Sequence, residues 1–341
     1  MKVTWGVRGS RRVAVAVAVV ALAALAGCGS TTGGSGGGAA RGSGVPEVDD
    51  EKDLTGLPLE RYEFSARDHE RREDASARFT QRCMRSHGFP DFPLRWRDQG
   101  IDMSSSRTAV AISTTLYGSL DLGGARSRGY GLDREALKAF EKKRAPKGRL
   151  ITPDENTMLF GIGMPPGDDS AAGRASGAGG RKAPEDGGHE VPKAGCVQVG
   201  ARRVVADVKD ETRMTAYVVG RRAAIDKAVA KDPRMRRALD TWADCVVDKG
   251  FKRYASPEAA FRDKAWHRGS DGDTRRTRRE RDTAVADIEC KREHNTAGVW
   301  RTVAAERQRR DISRHRSAYE AVRADQERVR STVRSVLGAG G

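Results

Sequence analysis

The longest unbroken apolar stretch comes first, "VAVAVAVVALAALA" from Val13 to Ala26, and every later pattern that repeats does so at helical spacing. Within 57–89, "LPLERYEFSARDHERREDASARFTQRCMRSHGF", Ser65 is placed as an N-cap. Ala75, Phe79 and Cys83 then follow along one face and Gly88 supplies a stop, which predicts a helix over 66–87. Residues 95–166 are weakly patterned, with Gly and Pro scattered through them, and predict one short helix over 134–143 in otherwise irregular chain. Between 165 and 192 the composition turns to Gly, Ala, Ser, Pro and charge, which predicts a disordered insertion over 165–195.

Beyond Cys196, residues Val204, Val208, Val218, Ile225 and Val229 lie on a drifting apolar face. Asp232 and Pro233 restart the chain as N-cap and first helical residue. Met235, Leu239, Trp242 and Val246 follow at spacings of 4, 3 and 4, one buried stripe that ends at Gly250. Ser256 and Pro257 cap a short helix reaching Trp266. The strongest pattern is the last: over 274–336 there is no Pro and no internal break except Gly298. Ile312, His315, Tyr319, Val322, Gln326, Val329, Val333 and Val336 alternate spacings of 3 and 4, which is a heptad seam. An upstream seam through Val285, Ile288 and Val299 is offset in register, so a single long helix that changes partners midway is predicted. Its C-terminal part is expected to project from the small domain.

Two stretches nearly repeat each other, "CMRSHGF" from Cys83 to Phe89 and "CVVDKGF" from Cys245 to Phe251. Each lies at the end of a predicted helix, where a left-handed Gly stops the helix and an aromatic residue turns back toward the packed face. The repeat is a helix-ending device with a thiol beside it.

The opening "MKVTWGVRGSRR" carries Lys2, Arg8, Arg11 and Arg12 and no acid, and the apolar run behind it has 14 residues. At ~1.5 Å per residue such a run is too short for a hydrocarbon core of ~30 Å, so a cleaved signal sequence is expected over 1–27. Leu25-Ala26-Gly27-Cys28 resembles the lipobox of bacterial lipoproteins, which implies that Cys28 becomes a diacylated N-terminus anchored at the outer face of the membrane. The rivals are an ordinary secreted protein and a retained transmembrane anchor. Residues 28–56, rich in Gly and Ser, are expected to form a flexible tether.

Subtracting the four basic residues of the signal from the formal charge of +16 leaves +12. Export argues against nucleic acid as the partner; lipid headgroups, wall phosphate polymers and peptidoglycan carboxylates are the polyanions outside a bacterial membrane. With 6% aromatic and 37% hydrophobic residues, two modest helical units, over 57–164 and 196–337, fit better than one large core.

Four cysteines besides Cys28 in an exported chain suggest two disulfides, and four cysteines allow three pairings. Cys83 with Cys196 and Cys245 with Cys290 is the favoured set, because each pair then links a helix end to the next long element. The predicted fold class is all-α: small helical units stapled by disulfides, a long C-terminal helix, a disordered N-terminal tether and a disordered central insertion.

The lipobox, "LPLERY", "RCMRSHGF", "WADCVVDKGFKRYASPEAAF" and "AVADIEC" leading into a long helix together resemble an actinobacterial family of lipoproteins and secreted proteins of unknown function. The resemblance covers most of the chain after Cys28 and implies architecture and surface location, not activity. Where such relatives have Cys-Met after the helix in both halves, this chain has Cys245-Val246.

No nucleotide-binding, hydrolase or zinc-protease motif is present, and the six histidines at 69, 87, 189, 267, 294 and 315 are scattered. No catalytic residue, metal site or cofactor is expected. Asp282, Asp287 and Glu289 are expected on a solvated face, neutralised by nearby arginines. One charge feature stands out: Arg275, Arg276, Arg278, Arg279 and Arg281 crowd the start of the last helix, against its dipole, and form a candidate anion-binding site. Two functions follow. One is a non-enzymatic interaction module whose seam docks on an envelope protein partner; the other is a basic module that binds anionic cell-wall polymer. If the seam is instead satisfied internally as core, it is no contact surface.

Overall fold

A computed structural model describes residues 44–97, 117–144, 147–161, 185–186 and 189–338. The expected signal segment, Cys28, most of the expected tether and most of the predicted insertion lie outside the described residues; the part of the tether that is described is not loose chain, since Val48 and Leu54 are buried with Leu120 and Ala297. The described residues hold eleven α-helices: α1 (Ala66–Ser86), α2 (Leu122–Arg128), α3 (Arg134–Arg144), α4 (Pro153–Phe160), α5 (Gly195–Val204), α6 (Glu211–Ala230), α7 (Pro233–Asp248), α8 (Pro257–Phe261), α9 (Arg278–Glu293), α10 (Thr296–Arg314) and α11 (Arg316–Gly338). Among the described residues, extended structure is confined to two-residue pairings, β1 (Trp96–Arg97) parallel to β2 (Arg149–Leu150) and β3 (Glu185–Asp186) antiparallel to β4 (His189–Glu190). The fold is all-α.

Local sequence explains where most helices begin. Ser65 accepts from Asp68 N while Asp68 accepts from Ser65 N, a capping box that starts α1. Asp232 and Ser256 cap α7 and α8, each with Pro at the first helical position, as their sequence predicts. Asp121 and Thr152 start α2 and α4 in the region expected to be irregular, Thr152 through a second capping box with Glu155. Both helices have fewer than ten residues, too short to display a period. The drift of the apolar face after Cys196 has a plain cause: α5 ends at Val204, and Asp210 caps a separate α6. The helix after Ser256 stops at Phe261, and only a 3₁₀ turn, Lys264–Trp266, carries the chain on to Trp266.

The two repeated stretches close their helices with the same long backbone bond. Phe89 N donates to Met84 O (3.1 Å) and Phe251 N to Val246 O (3.2 Å), with Gly88 and Gly250 at φ 93° and 86° between them. These are Schellman ends, and each Phe packs into the cluster that holds its own cysteine.

Residues 57–164 and 196–337 do not stand as two separate units. The described residues from Val45 onward form one compact unit, in which α1 packs on α5 and α11, α2 on α9, and α10 on α6 and α7. Gly200 lets α5 approach α1 closely, since a Cβ there would lie 2.4 Å from Thr80 Oγ1 and 2.7 Å from Ser76 O. The insertion predicted to reach 195 ends sooner, because Val191 is buried with Cys196 and Met84.

The single helix predicted over 274–336 is three helices. Asn295 adopts a left-handed conformation (φ 47°) between α9 and α10, and His315 interrupts the chain between α10 and α11. Asn295 is held there by the incoming chain: Val48 N donates to its Oδ1 (3.1 Å), and its Nδ2 donates to Pro46 O (2.9 Å). Gly298, the expected break, is helical, and its missing side chain makes room for Pro46 O, 2.3 Å from where a Cβ would sit. The change of partner is real: α10 packs on α6 and α7, whereas α11 packs on α1 and α6. The seam does not project. Tyr319, Val322, Gln326, Val329, Val333 and Val336 are all buried, and each fully buried Val contributes roughly 1.5–3 kcal/mol relative to exposure.

Candidate functional site

Both disulfides form in the favoured pairing, Cys83 with Cys196 and Cys245 with Cys290, at sequence separations of 113 and 45. Their sulfurs are therefore neither nucleophiles nor metal ligands. Cys245, Glu293 and His294 place donor atoms within 4.8 Å of one another, but the cysteine of that group is spent in its disulfide.

The five arginines of the predicted cluster are divided by the fold. Arg276 donates to Leu132 O (2.8 Å) and Asp273 Oδ2 (2.9 Å), and Arg281 donates to Arg276 O. These two tie down the chain ahead of α9. Arg278 lies 3.6 Å from Asp282, while Arg275 and Arg279 are exposed. Thr277, not an arginine, caps the helix, and the buried Glu280 in its first turn answers the dipole.

A denser group comes from segments far apart in sequence. Arg67, Arg71 and Arg72 on α1 and Arg330 and Arg334 on α11 surround a cleft of about 270 Å³ with Phe64 and Asp68. The guanidinium of Arg72 lies 4.5 Å from the centre of the Phe64 ring and that of Arg330 5.3 Å from it. Asp68 accepts from Arg330 (3.2 and 3.3 Å) and Glu327 from Arg334 (2.7 Å). Burial alone would raise the Asp68 carboxyl, but the Arg330 guanidinium and the Ser65 amide outweigh it and hold it at about 2. Arg72 Nε is buried without an acceptor, and neither Arg67 nor Arg71 has a partner among the described residues. A second arginine-lined cleft, between α6 and α10, is compensated except at the exposed Arg314: Arg221 pairs with Asp311, Arg307 with Asp232 and Arg310 with Glu306. The α1–α11 cleft therefore holds the larger excess of positive charge.

The third feature is ionic and internal. Asp287 is buried, not solvated, and Lys291 one turn later on α9 is fully buried beside it. The ammonium lies 3.2 Å from each Asp287 oxygen and donates to Ser119 O (2.5 Å). Trp242 Nε1 donates to Asp287 Oδ1 (3.1 Å) and Tyr130 Oη to Oδ2 (3.3 Å). Burial pushes the carboxyl up, the ammonium down and the Tyr130 phenol well up, while the Asp287–Lys291 attraction opposes the first two shifts. Asp282 and Glu289 do face outward, toward Arg278 and Lys249. The signal for Asp287 was present in "AVADIECK": Ala284, Asp287, Ile288 and Lys291 share one helix face, so an i,i+4 ion pair sits on the apolar side.

Comparison of the chain with protein-family models, with curated proteins and with solved structures finds no match in any of the three.

Proposed function

We propose that the protein is a lipid-anchored, extracytoplasmic binding module without a catalytic step, held to the membrane through Cys28 and engaging an anionic polymer of the cell envelope through the cleft between α1 and α11. The excess of guanidinium around that cleft carries the reading: five arginines against Asp68, Glu327 and Glu211, which attracts Arg72, with Arg67 and Arg71 unpaired among the described residues. Guanidinium groups present planar donor forks that match phosphate and carboxylate oxygens, and stacking on Phe64 fixes two of them in orientation. The cleft also borders the first turns of α1, where the helix dipole favours an anion.

The location rests on the basic start, the apolar run and the lipobox-like Leu25-Ala26-Gly27-Cys28. An envelope protein docking on the heptad seam has no support, since the seam is core; such a partner would need another face.

Co-sedimentation of the chain from Gly29 with purified cell-wall sacculi tests the proposal. Binding is expected at low salt and lost at high salt. R67Q/R71Q/R334Q is expected to weaken it about tenfold, the loss of three contacts of roughly 0.5 kcal/mol each. R275Q/R278Q/R279Q removes the same charge elsewhere and is expected to weaken it less. Equal losses in the two triple variants, or binding indifferent to salt, would reject the cleft.

A further inference from the structure

Away from the arginine cleft, and sharing no lining residue with it, a cavity of about 390 Å³ opens between α2, α3, α8 and α9. This falls in the range of small-molecule sites, roughly 300–1,000 Å³. We propose that it binds an amphiphilic amine, with an apolar, ring-bearing body inside and a protonated amino group at the rim.

The walls supply the first half of that chemistry. Leu132 and Leu137, Phe140 of α3, Phe261 of α8, and Ala284 and Ile288 of α9 give apolar surface. The Tyr130 ring stands edge-on to Phe261, with centroids 5.9 Å apart, and is fixed by its hydrogen bond to Asp287. Aromatic walls of this kind favour flat apolar bodies and attract cations to their faces.

The charges supply the second half, and they run against the rest of the molecule. Four carboxylates line the cavity, Asp121, Asp133, Glu258 and Asp287, against a single guanidinium, Arg128. Lys291 compensates Asp287 from behind, and Arg262 pairs with Glu258 at 3.0 Å. Arg128 is shared between Asp121 (2.6 Å) and Asp133 (3.5 Å), so two carboxylates at the rim have one cation between them. Behind Gly129, the buried Glu280 accepts from Tyr130 N (3.0 Å) and Thr274 Oγ1 (2.5 Å) through one oxygen and has no donor on the other. An acidic rim on a strongly basic chain selects a cationic ligand and disfavours an anionic one.

The chain from Gly29, which contains the whole compact unit, is titrated by calorimetry with naphthylmethylamine, naphthylmethanol and naphthylacetate. The amine is expected to bind about tenfold more tightly than the alcohol, one uncompensated rim charge, with the carboxylate weakest. D133N keeps the acceptor that caps Ala136 N (2.8 Å) but removes the charge, and is expected to erase most of the amine's advantage while leaving the alcohol unchanged. A136W places bulk at the rim from an exposed position on α3 and is expected to weaken all three about tenfold, with unchanged circular dichroism. Equal binding of amine and alcohol, a preference for the carboxylate, or A136W titrating like the parent would overturn the proposal.

Discussion

At the end of α1, Cys83 is bridged to Cys196 among Met84, Met158, Leu159 and Val191. At the end of α7, Cys245 is bridged to Cys290 beside Trp242, whose indole donates to a buried carboxylate. The backbone device is the same, Cys-x4-Gly-Phe closing a Schellman end, and the surroundings differ. The first end is sealed by apolar contact, which is tolerant of small changes in volume. The second stands over an ion pair whose burial is stabilising only while every partner is in place. A repeated local motif thus fixes how a helix stops and leaves open what the stop is used for.

Removing each disulfide is the strongest way to press the comparison. The chain-entropy treatment gives about 4 to 5 kcal/mol for loops of either length, because the cost grows only with the logarithm of the separation. C83A/C196A and C245A/C290A are therefore expected to lose similar stability in urea denaturation, despite separations of 113 and 45. A difference well beyond 1 kcal/mol would show that the packing around one bridge, not loop closure, sets its worth.

The ion pair exists at the second end alone. D287A leaves a buried ammonium unpaired and is expected to cost about 3–5 kcal/mol, whereas the apolar pair D287L/K291M is expected to fall much closer to the parent. If the single and the double variant prove equally unstable, the pair is a packing element and its charges are incidental. An apolar substitution at the first end, M84L, should cost less than about 1.5 kcal/mol in the same assay.

Smaller effects test the shared device. Nothing lies within 4 Å of a Cβ built on Gly250, so G250A reads backbone strain alone, about 1–2 kcal/mol for a left-handed residue. G88A is expected to match it if the two ends are equivalent.

The smallest expected effect is on acid stability. Burial would raise the Asp273 carboxyl, but Arg134, Arg276 and the amides of Leu132 and Thr274 hold it down at about 2. Asp68, on α1, is held at about 2 by Arg330 and Ser65. A carboxyl lowered by folding contributes stability that is complete above its ordinary value of 3.8 and is lost as the pH falls through about 2. The stability gap between the parent and D273N, or D68N, should therefore be full at neutral pH and close between about pH 4 and pH 2. A gap that persists at pH 2 would assign these groups a role independent of charge.

Much of the fold was legible because it depends on neighbours in sequence. Ser65, Asp232 and Ser256 announce their helices through side chains that reach only two or three residues ahead, and the stripe of Met235, Trp242 and Val246 is buried as its spacing predicts. The breaks were not legible. Asn295 is left-handed because it hydrogen-bonds residues 46 and 48, contacts that span 247 positions or more. The candidate sites divide in the same way. The five clustered arginines are conspicuous in sequence, yet the fold ties Arg276 and Arg281 to the chain ahead of α9. The five that line a cleft were invisible, since α1 and α11 are brought together only by packing.

By itself the sequence determined the helical character of the chain, its helix ends and caps, and the residues that form its two bridges. These follow from local hydrogen bonding, side-chain periodicity and the placing of each thiol beside a helix end. The tertiary structure decided which faces were left over. The heptad seam could have met a partner, but burying Tyr319, Val322, Val329 and Val333 against α1 and α6 is favourable within the chain itself, so it became core. Charge followed the same rule: Asp287 and Lys291 went inside because they share a face with Ala284 and Ile288, while Arg67 and Arg71 stayed at a cleft where no carboxylate was left to meet them.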